Sequence, residues 1–175
     1  ALMNWCFKVI YGYTQSDEIS LLFSPEETAF AGKIRKYNSL LAGEASATLS
    51  MILGTKAVFD CRIIPLPNIE LVKDYFIWRQ EDASRNALNS TAYWMLRKDG
   101  MSVSDASKYL IGMKASDKNE LLWSRFNINY NDILIWKKRG IGLYTQESER
   151  VSVNMLTKEE VTTKRNSIFV DLLLP

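Results

Sequence analysis

Five short stretches of the chain hold residue types and spacings that could do chemistry. Gln15-Ser16-Asp17-Glu18 sets two adjacent carboxylates beside a hydroxyl. Mg2+ prefers one or two carboxylates plus phosphate oxygens, so this turn could hold that ion against a nucleotide; a solvated polar turn uses the same residues. Lys33 and Lys36 lie three apart, on one helical face, which suits anionic phosphates and equally an ordinary solvated face. From Trp78 to Asn86, Arg79, Glu81, Asp82, Arg85 and Asn86 bring both charges beside an aromatic ring, as a substrate wall or an internal ion-pair cluster would. In Asp117-Lys118-Asn119-Glu120 the aspartate can cap a helix while Lys118 reaches a phosphate. Lys137-Lys138-Arg139 is the densest basic run and, beside Trp136, joins charge to a stacking ring in the manner of an RNA contact.

The rest of the composition narrows what these residues can do. The 175 residues include no histidine, which removes Ser-His-Asp triads, Cys-His dyads and imidazole-bound zinc. Catalysis here would rest on carboxylates, lysines, hydroxyls or a hard metal. Two cysteines, Cys6 and Cys61, are too few for a disulfide framework and read as reduced, buried thiols of a cytoplasmic protein. With 22 basic against 20 acidic residues the chain is no polybasic coat, although a local basic surface fits that balance. No window approaches the roughly 18 apolar residues of a membrane span, and no targeting pattern opens the sequence.

Elements that would position these groups follow from periodicity. Phe7 to Phe23 reads as two strands around the acidic turn, which lifts Asp17 and Glu18 to one end of a hairpin. Ser24-Pro25-Glu26-Glu27 has the form of a capping box, predicting a helix through Phe30, Ile34, Tyr37, Leu41 and Ala45 to near Gly54. Residues 57 to 64 alternate as a strand with Asp60 and Arg62 on one face. Asn68 caps a helix that continues, bent or broken, through Trp94 to Gly100, and shorter helices begin near Ser102 and Ser116. From about residue 133 the chain reads as β-rich. The mixture is α/β or α+β, taken as one domain of 1-175 with a C-terminal β-rich extension.

Read in order, five segments resemble the tRNA(His) guanylyltransferase family and its tRNA-repair relatives, which polymerise in the 3′-to-5′ direction. They are Tyr13-Thr14-Gln15-Ser16-Asp17-Glu18, Phe59-Asp60-Cys61-Arg62, Asp74-Tyr75-Phe76-Ile77-Trp78-Arg79-Gln80, Ser116-Asp117-Lys118-Asn119-Glu120 and Phe126-Asn127-Ile128-Asn129-Tyr130-Asn131, within about residues 9 to 145. The resemblance implies a palm-like antiparallel sheet with helices on one face, related to polymerase palms. It implies two Mg2+ ions, ATP or GTP as substrate, and transfer of nucleotides to a tRNA 5′ end. By the same resemblance Asp17 is a metal-binding and catalytic carboxylate, Ser16 and Glu18 are its catalytic neighbours, and Lys118 acts at the 5′ end. Lys33 and Lys36 fall in the triphosphate-binding stretch; Arg85, Asn86 and the run Lys137, Lys138, Arg139 are expected to meet nucleotide or RNA. A homotetramer or homodimer is also implied.

Two departures shape the expectation. Relatives that read tRNA(His) carry a His-Ile-Asn-Asn-Leu-Tyr-Asn-Thr run where this chain has Ser84-Arg85-Asn86-Ala87-Leu88-Asn89-Ser90-Thr91, which points to the repair branch. The family's first strand, with an Asp-Gly-Arg motif and a second metal-binding aspartate, is expected to precede residue 1, so the chain reads as a fragment; Asp60 is a conceivable substitute ligand. The rival readings are a non-catalytic RNA- or nucleotide-binding palm module and a palm-fold nucleotide cyclase or diguanylate synthase, the latter opposed by the Trp-Arg-Gln and Asn-Ile-Asn-Tyr-Asn segments.

Overall fold

A computed structural model describes residues 1–153 and 155–174. The chain forms two compact units, one of residues 1–13, 19–67 and 142–170, the other of residues 14–18, 68–141 and 171–175. In the first, β1 (Val9–Gln15) and β2 (Glu18–Phe23) form the expected hairpin, and β3 (Ile141–Val153) and β4 (Glu160–Asp171) complete a four-stranded sheet of order β2-β1-β3-β4. Both hairpins are antiparallel. Thr14 bonds to Glu18 and Lys8 to Ser24, while Ser148 bonds to Arg165 and Ser152 to Val161, so numbers rise on one strand as they fall on its neighbour.

An aromatic cluster forms the core of this unit. Phe7 is buried and stacks on Tyr37 of α1 (Ile34–Leu53) at 4.8 Å between ring centroids, with Trp5 and Phe23 edge-on at 5.5 and 5.8 Å. Val9 and Leu41 are buried in the same cluster, and Cys61 and Ile63 pack against it. Burial, and then the charge of Asp60, pushes the Cys61 thiol up, as suits an unreactive packing cysteine. Cys6, by contrast, is exposed, in the bend that precedes β1.

The helix predicted from Ser24 begins ten residues later, at Ile34. Glu27 is not spent on a capping box. Its carboxylate accepts from the backbone N–H of Lys8 at 2.5 Å and of Ala29 at 2.6 Å, tying the loop to the first strand's edge. Phe30, Ala31 and Gly32 then take left-handed conformations, φ 54°, 52° and 69°, which no right-handed helix can include. Residues 57 to 64 keep the predicted alternation, with Phe59, Cys61 and Ile63 half-buried and Val58, Asp60, Arg62 and Ile64 exposed, yet they join no ladder. Side chains of α1 hold them instead: Ser46 accepts from the N–H of Phe59 at 2.8 Å and Ser50 from that of Ala57 at 2.9 Å.

The second unit is helical. α2 (Ile69–Lys98) runs unbroken for 30 residues, started by Asn68, whose side chain accepts from the N–H of Leu71 at 2.9 Å. Against it pack α3 (Val103–Leu110), α4 (Ala115–Phe126) and the short α5 (Ile135–Arg139), which occupies the start of the stretch expected to be β-rich. Leu88, Ala92 and Leu96 of α2 meet Ala106, Leu110, Leu121 and Leu122 in one core. The Arg125 guanidinium pairs with Asp99 and locks the end of α4 to the end of α2.

These cores set two expectations. Leu122 is wholly buried, so Leu122→Ala lowers stability in a urea melt by about 3 kcal/mol, whereas Ile111→Ala, at a site 77% exposed, changes it by less than about 0.5 kcal/mol. The second expectation concerns acid. The N–H of Lys8, then that of Ala29, holds the Glu27 carboxyl below its ordinary value of 4.5. A carboxylate depressed in the folded state contributes stability that is complete above its unfolded value and is lost as pH falls through the folded one. Glu27→Gln therefore flattens the fall in Tm below pH 4.5, the ordinary value of that carboxyl, and an unchanged acid limb would show that Glu27 holds nothing.

Candidate functional site

The acidic turn belongs to the helical unit together with α2. Only Ser16 and Asp17 separate the two strands, and Ser16 takes φ 55° to close so short a loop. Glycine or asparagine usually fills such a position, so a serine there costs about 1 kcal/mol. The Thr14 hydroxyl donates to the Glu18 carbonyl at 3.0 Å across the mouth of the turn.

The two carboxylates then part company. Glu18 forms an ion pair with Arg79 of α2, whose side chain is only 13% exposed and lies over the Trp78 ring at 5.0 Å. Asp17 is exposed and has no hydrogen bond or ion pair among the described residues. Arg79 also reaches Asp82 at 4.0 Å, and Asp82 accepts from Arg85 at 2.9 Å and from Asn86 at 3.2 Å. Of the two readings of the Trp78–Asn86 stretch, the structure shows the ion-pair cluster, and it brings Glu18, Arg85 and Asn86 into one network. Asp82 is the centre of that network, and its spacing of three and four from Arg79, Arg85 and Asn86 on one helix face was the signal for it.

The donor set at the turn suits Mg2+ in one respect. Asp17 offers a single uncommitted carboxylate, enough for an ion that takes its remaining ligands from phosphate and water. Among the described residues no three Asp, Glu or Cys side chains come together as a protein cage. Asp60 lies exposed in the first unit.

The cationic candidates fall into two sets. Lys33 and Lys36 belong to the first unit and occupy the first turn of α1 rather than its middle, with Lys33 as N-cap and no side chain capping the turn. Both are exposed and make no ion pair among the described residues, and a helix start with free N–H groups and two lysines favours an anion. Lys118, Lys137, Lys138 and Arg139 are in the helical unit. Lys118 is half-buried on α4, whose start Asp117 caps by accepting from the N–H of Lys114 at 3.3 Å. Lys137 lies over the Trp136 ring at 5.3 Å, keeping charge and ring together as expected. Lys138 turns inward, donating to the carbonyls of Asn131 at 3.1 Å and Tyr130 at 3.4 Å, so part of its capacity serves the fold. Arg139 is exposed.

The Glu18–Arg79 pair can be weighed directly. A double-mutant cycle with Glu18→Gln and Arg79→Met is expected to show coupling of about 1 kcal/mol in urea unfolding, at the upper end for a pair with one exposed partner. Coupling below about 0.3 kcal/mol would mean that the turn is held by its own backbone alone.

Residues 70–170 match the family model described as Thg1 C terminal domain, and residues 1–67 match that of tRNAHis guanylyltransferase. The chain is 33% identical over 177 residues to a tRNA(His) guanylyltransferase of Debaryomyces hansenii, covering 91% of this chain and 67% of that protein. It is 30% identical over 190 residues to a probable tRNA(His) guanylyltransferase of Bos taurus, covering 98% of this chain and 63% of that one. A solved bacterial guanylyltransferase-like protein in complex with ATP superposes with a TM-score of 0.69 at 28% identity, over 97% of this chain and 66% of its own. The same kind of protein in complex with GTP gives a TM-score of 0.62. The chain thus spans about half to two thirds of the length of these and similar relatives. With the two family models matching residues 1–67 and 70–170 and a mixed α/β, palm-like fold shared with its solved neighbours, the chain belongs to the tRNA(His) guanylyltransferase family.

Proposed function

We propose that this chain carries the nucleotidyl-transfer site of an enzyme that adds nucleotides to the 5′ end of tRNA, in the template-dependent repair manner. The observation that carries the reading is the division of labour at the turn: Arg79 occupies Glu18, and Asp17 is left uncommitted at the tip. Nucleotide complexes of the solved neighbours support a nucleoside triphosphate as the second substrate. The replacement of the His-Ile-Asn-Asn run by Ser84-Arg85-Asn86-Ala87 supports the repair branch, since Arg85 and Asn86 here are tied to Asp82.

In the mechanism each side chain has a stated task. Asp17 would hold Mg2+, which supplies neutralisation of phosphate charge when bound. Glu18, held by Arg79, keeps the turn in the strained form that presents Asp17 outward, and Ser16 offers a hydroxyl beside it. Lys33 and Lys36, at the positive end of α1, receive triphosphate oxygens. Lys118 stabilises negative charge at the RNA 5′ end, and Lys137 and Arg139 meet the RNA backbone; Trp136 beside them adds a ring face. Phosphoryl transfer asks for positioning and charge neutralisation more than for proton relays, so a chain without histidine suffices.

The test is incorporation of labelled GTP into a 5′-truncated tRNA with ATP and Mg2+ present. Asp17→Ala is expected to lower incorporation at least about 100-fold with RNA binding retained. Equal incorporation by the variant would overturn the reading, and RNA binding without any incorporation by the unaltered chain would favour the binding module.

A further inference from the structure

Three residues in succession, Phe30, Ala31 and Gly32, hold left-handed backbone, and the start of α1 follows directly. Glycine enters that region freely, whereas phenylalanine and alanine are opposed there by their own Cβ atoms. Burial does not offset the cost, since all three residues are exposed. Such backbone persists only where its surroundings over-determine it, and here two core side chains do so. The Tyr37 hydroxyl donates to the Ala29 carbonyl at 2.8 Å, and the Glu27 carboxylate accepts from the Ala29 N–H at 2.6 Å, so the peptide planes on both sides of Ala29 are fixed before the run begins. Within it, the N–H of Ala31 donates to Thr28 at 3.1 Å and that of Lys33 to Phe30 at 3.2 Å. Tyr37 is itself buried against Phe7 and Phe23, with ring centroids 4.8 and 5.6 Å away. Burial, and then the Glu27 charge, pushes its phenol up, which keeps the hydroxyl a donor in neutral solution.

The run decides where α1 begins. A helix started at Ser24 would carry Lys33 and Lys36 in its interior, where each backbone N–H is spent on a carbonyl four residues earlier. The left-handed run moves the start to Lys33, which no side chain caps. The N–H groups of Ile34 and Arg35 then have no partner among the described residues, and they share one helical turn with the two lysines.

We propose that Tyr37 is a positioning residue: through Ala29 it holds the left-handed run that puts the unbonded N–H groups of α1 beside Lys33 and Lys36, and so sets the affinity for a triphosphate. The proposal rests on the reading of these lysines as the triphosphate site and adds to it a side chain that touches no phosphate. Competition against a fluorescent GTP analogue tests it, with GTP, inorganic tripolyphosphate and guanosine as competitors. Tyr37→Phe keeps the ring stack and removes one bond; it is expected to weaken GTP and tripolyphosphate about fivefold to tenfold each and to leave guanosine within about twofold. Gly32→Ala should do the same, because its new methyl meets nothing within 4 Å and opposes only the backbone conformation. Ala31→Gly in the Tyr37→Phe background removes a Cβ that resists the run, and should recover much of the lost GTP affinity. A role in stability alone would lower the melting temperature without a loss confined to phosphate-bearing competitors. Melting curves verify folding, and Gly32→Ala, in the exposed turn, carries the test if Tyr37→Phe fails to fold. Unchanged GTP affinity in both variants, or an equal loss for guanosine, overturns the proposal. The pair Lys33→Ala and Lys36→Ala separates it from the reading beneath. If that double variant binds GTP as tightly as the unaltered chain, or the unaltered chain does not bind the analogue, the triphosphate reading falls and the proposal with it. Loss with the lysines but none with Tyr37→Phe and Gly32→Ala refutes the positioning role alone.

Discussion

One guanidinium governs the chemistry available at the hairpin turn. Adjacent carboxylates repel each other, and one on a two-residue loop beside another at the start of the next strand would compete for any cation that came near. Arg79 removes the competition by pairing with Glu18. Its largely buried side chain is braced by the Trp78 ring and by Asp82, so it is poorly placed to swing across to Asp17. A single carboxylate is left for a ligand that brings its own negative oxygens. The same contact ties the strained Ser16 turn to a 30-residue helix, the longest element among the described residues.

That helix performs two jobs with two faces. Leu88, Ala92 and Leu96 anchor it in the helical core, while Arg79, Asp82, Arg85 and Asn86 make a polar ladder along its earlier turns. A site built on a helix that is itself locked by packing is more exact than one carried by loops. Similar economy is visible at Lys138, a member of the basic run that also holds the carbonyls of Tyr130 and Asn131.

Local rules made much of this legible beforehand. The hairpin, the cap at Asn68, the alternation of residues 57 to 64 and the starts near Ser102 and Ser116 all rest on contacts between residues close in sequence, where propensity and spacing decide. Glu27 shows where such rules stop. Ser24-Pro25-Glu26-Glu27 satisfies the pattern of a helix start, but a carboxylate bonds to whichever N–H groups the fold brings near, and here these are Lys8 and Ala29. Residues 57 to 64 show the same limit, since a strand needs a partner edge as well as an alternating face, and two serines of α1 took that place.

The order of residue types along the chain therefore determined by itself which groups could act: no imidazole, one acidic turn, a few lysines and a set of family motifs. Only the tertiary structure decided which carboxylate is free, because Asp17 and Glu18 are equivalent in any local pattern and become different when Arg79, some sixty residues away in the chain, pairs with one of them. Long-range pairing is set by the burial of the two cores, and sequence neighbours carry no record of it.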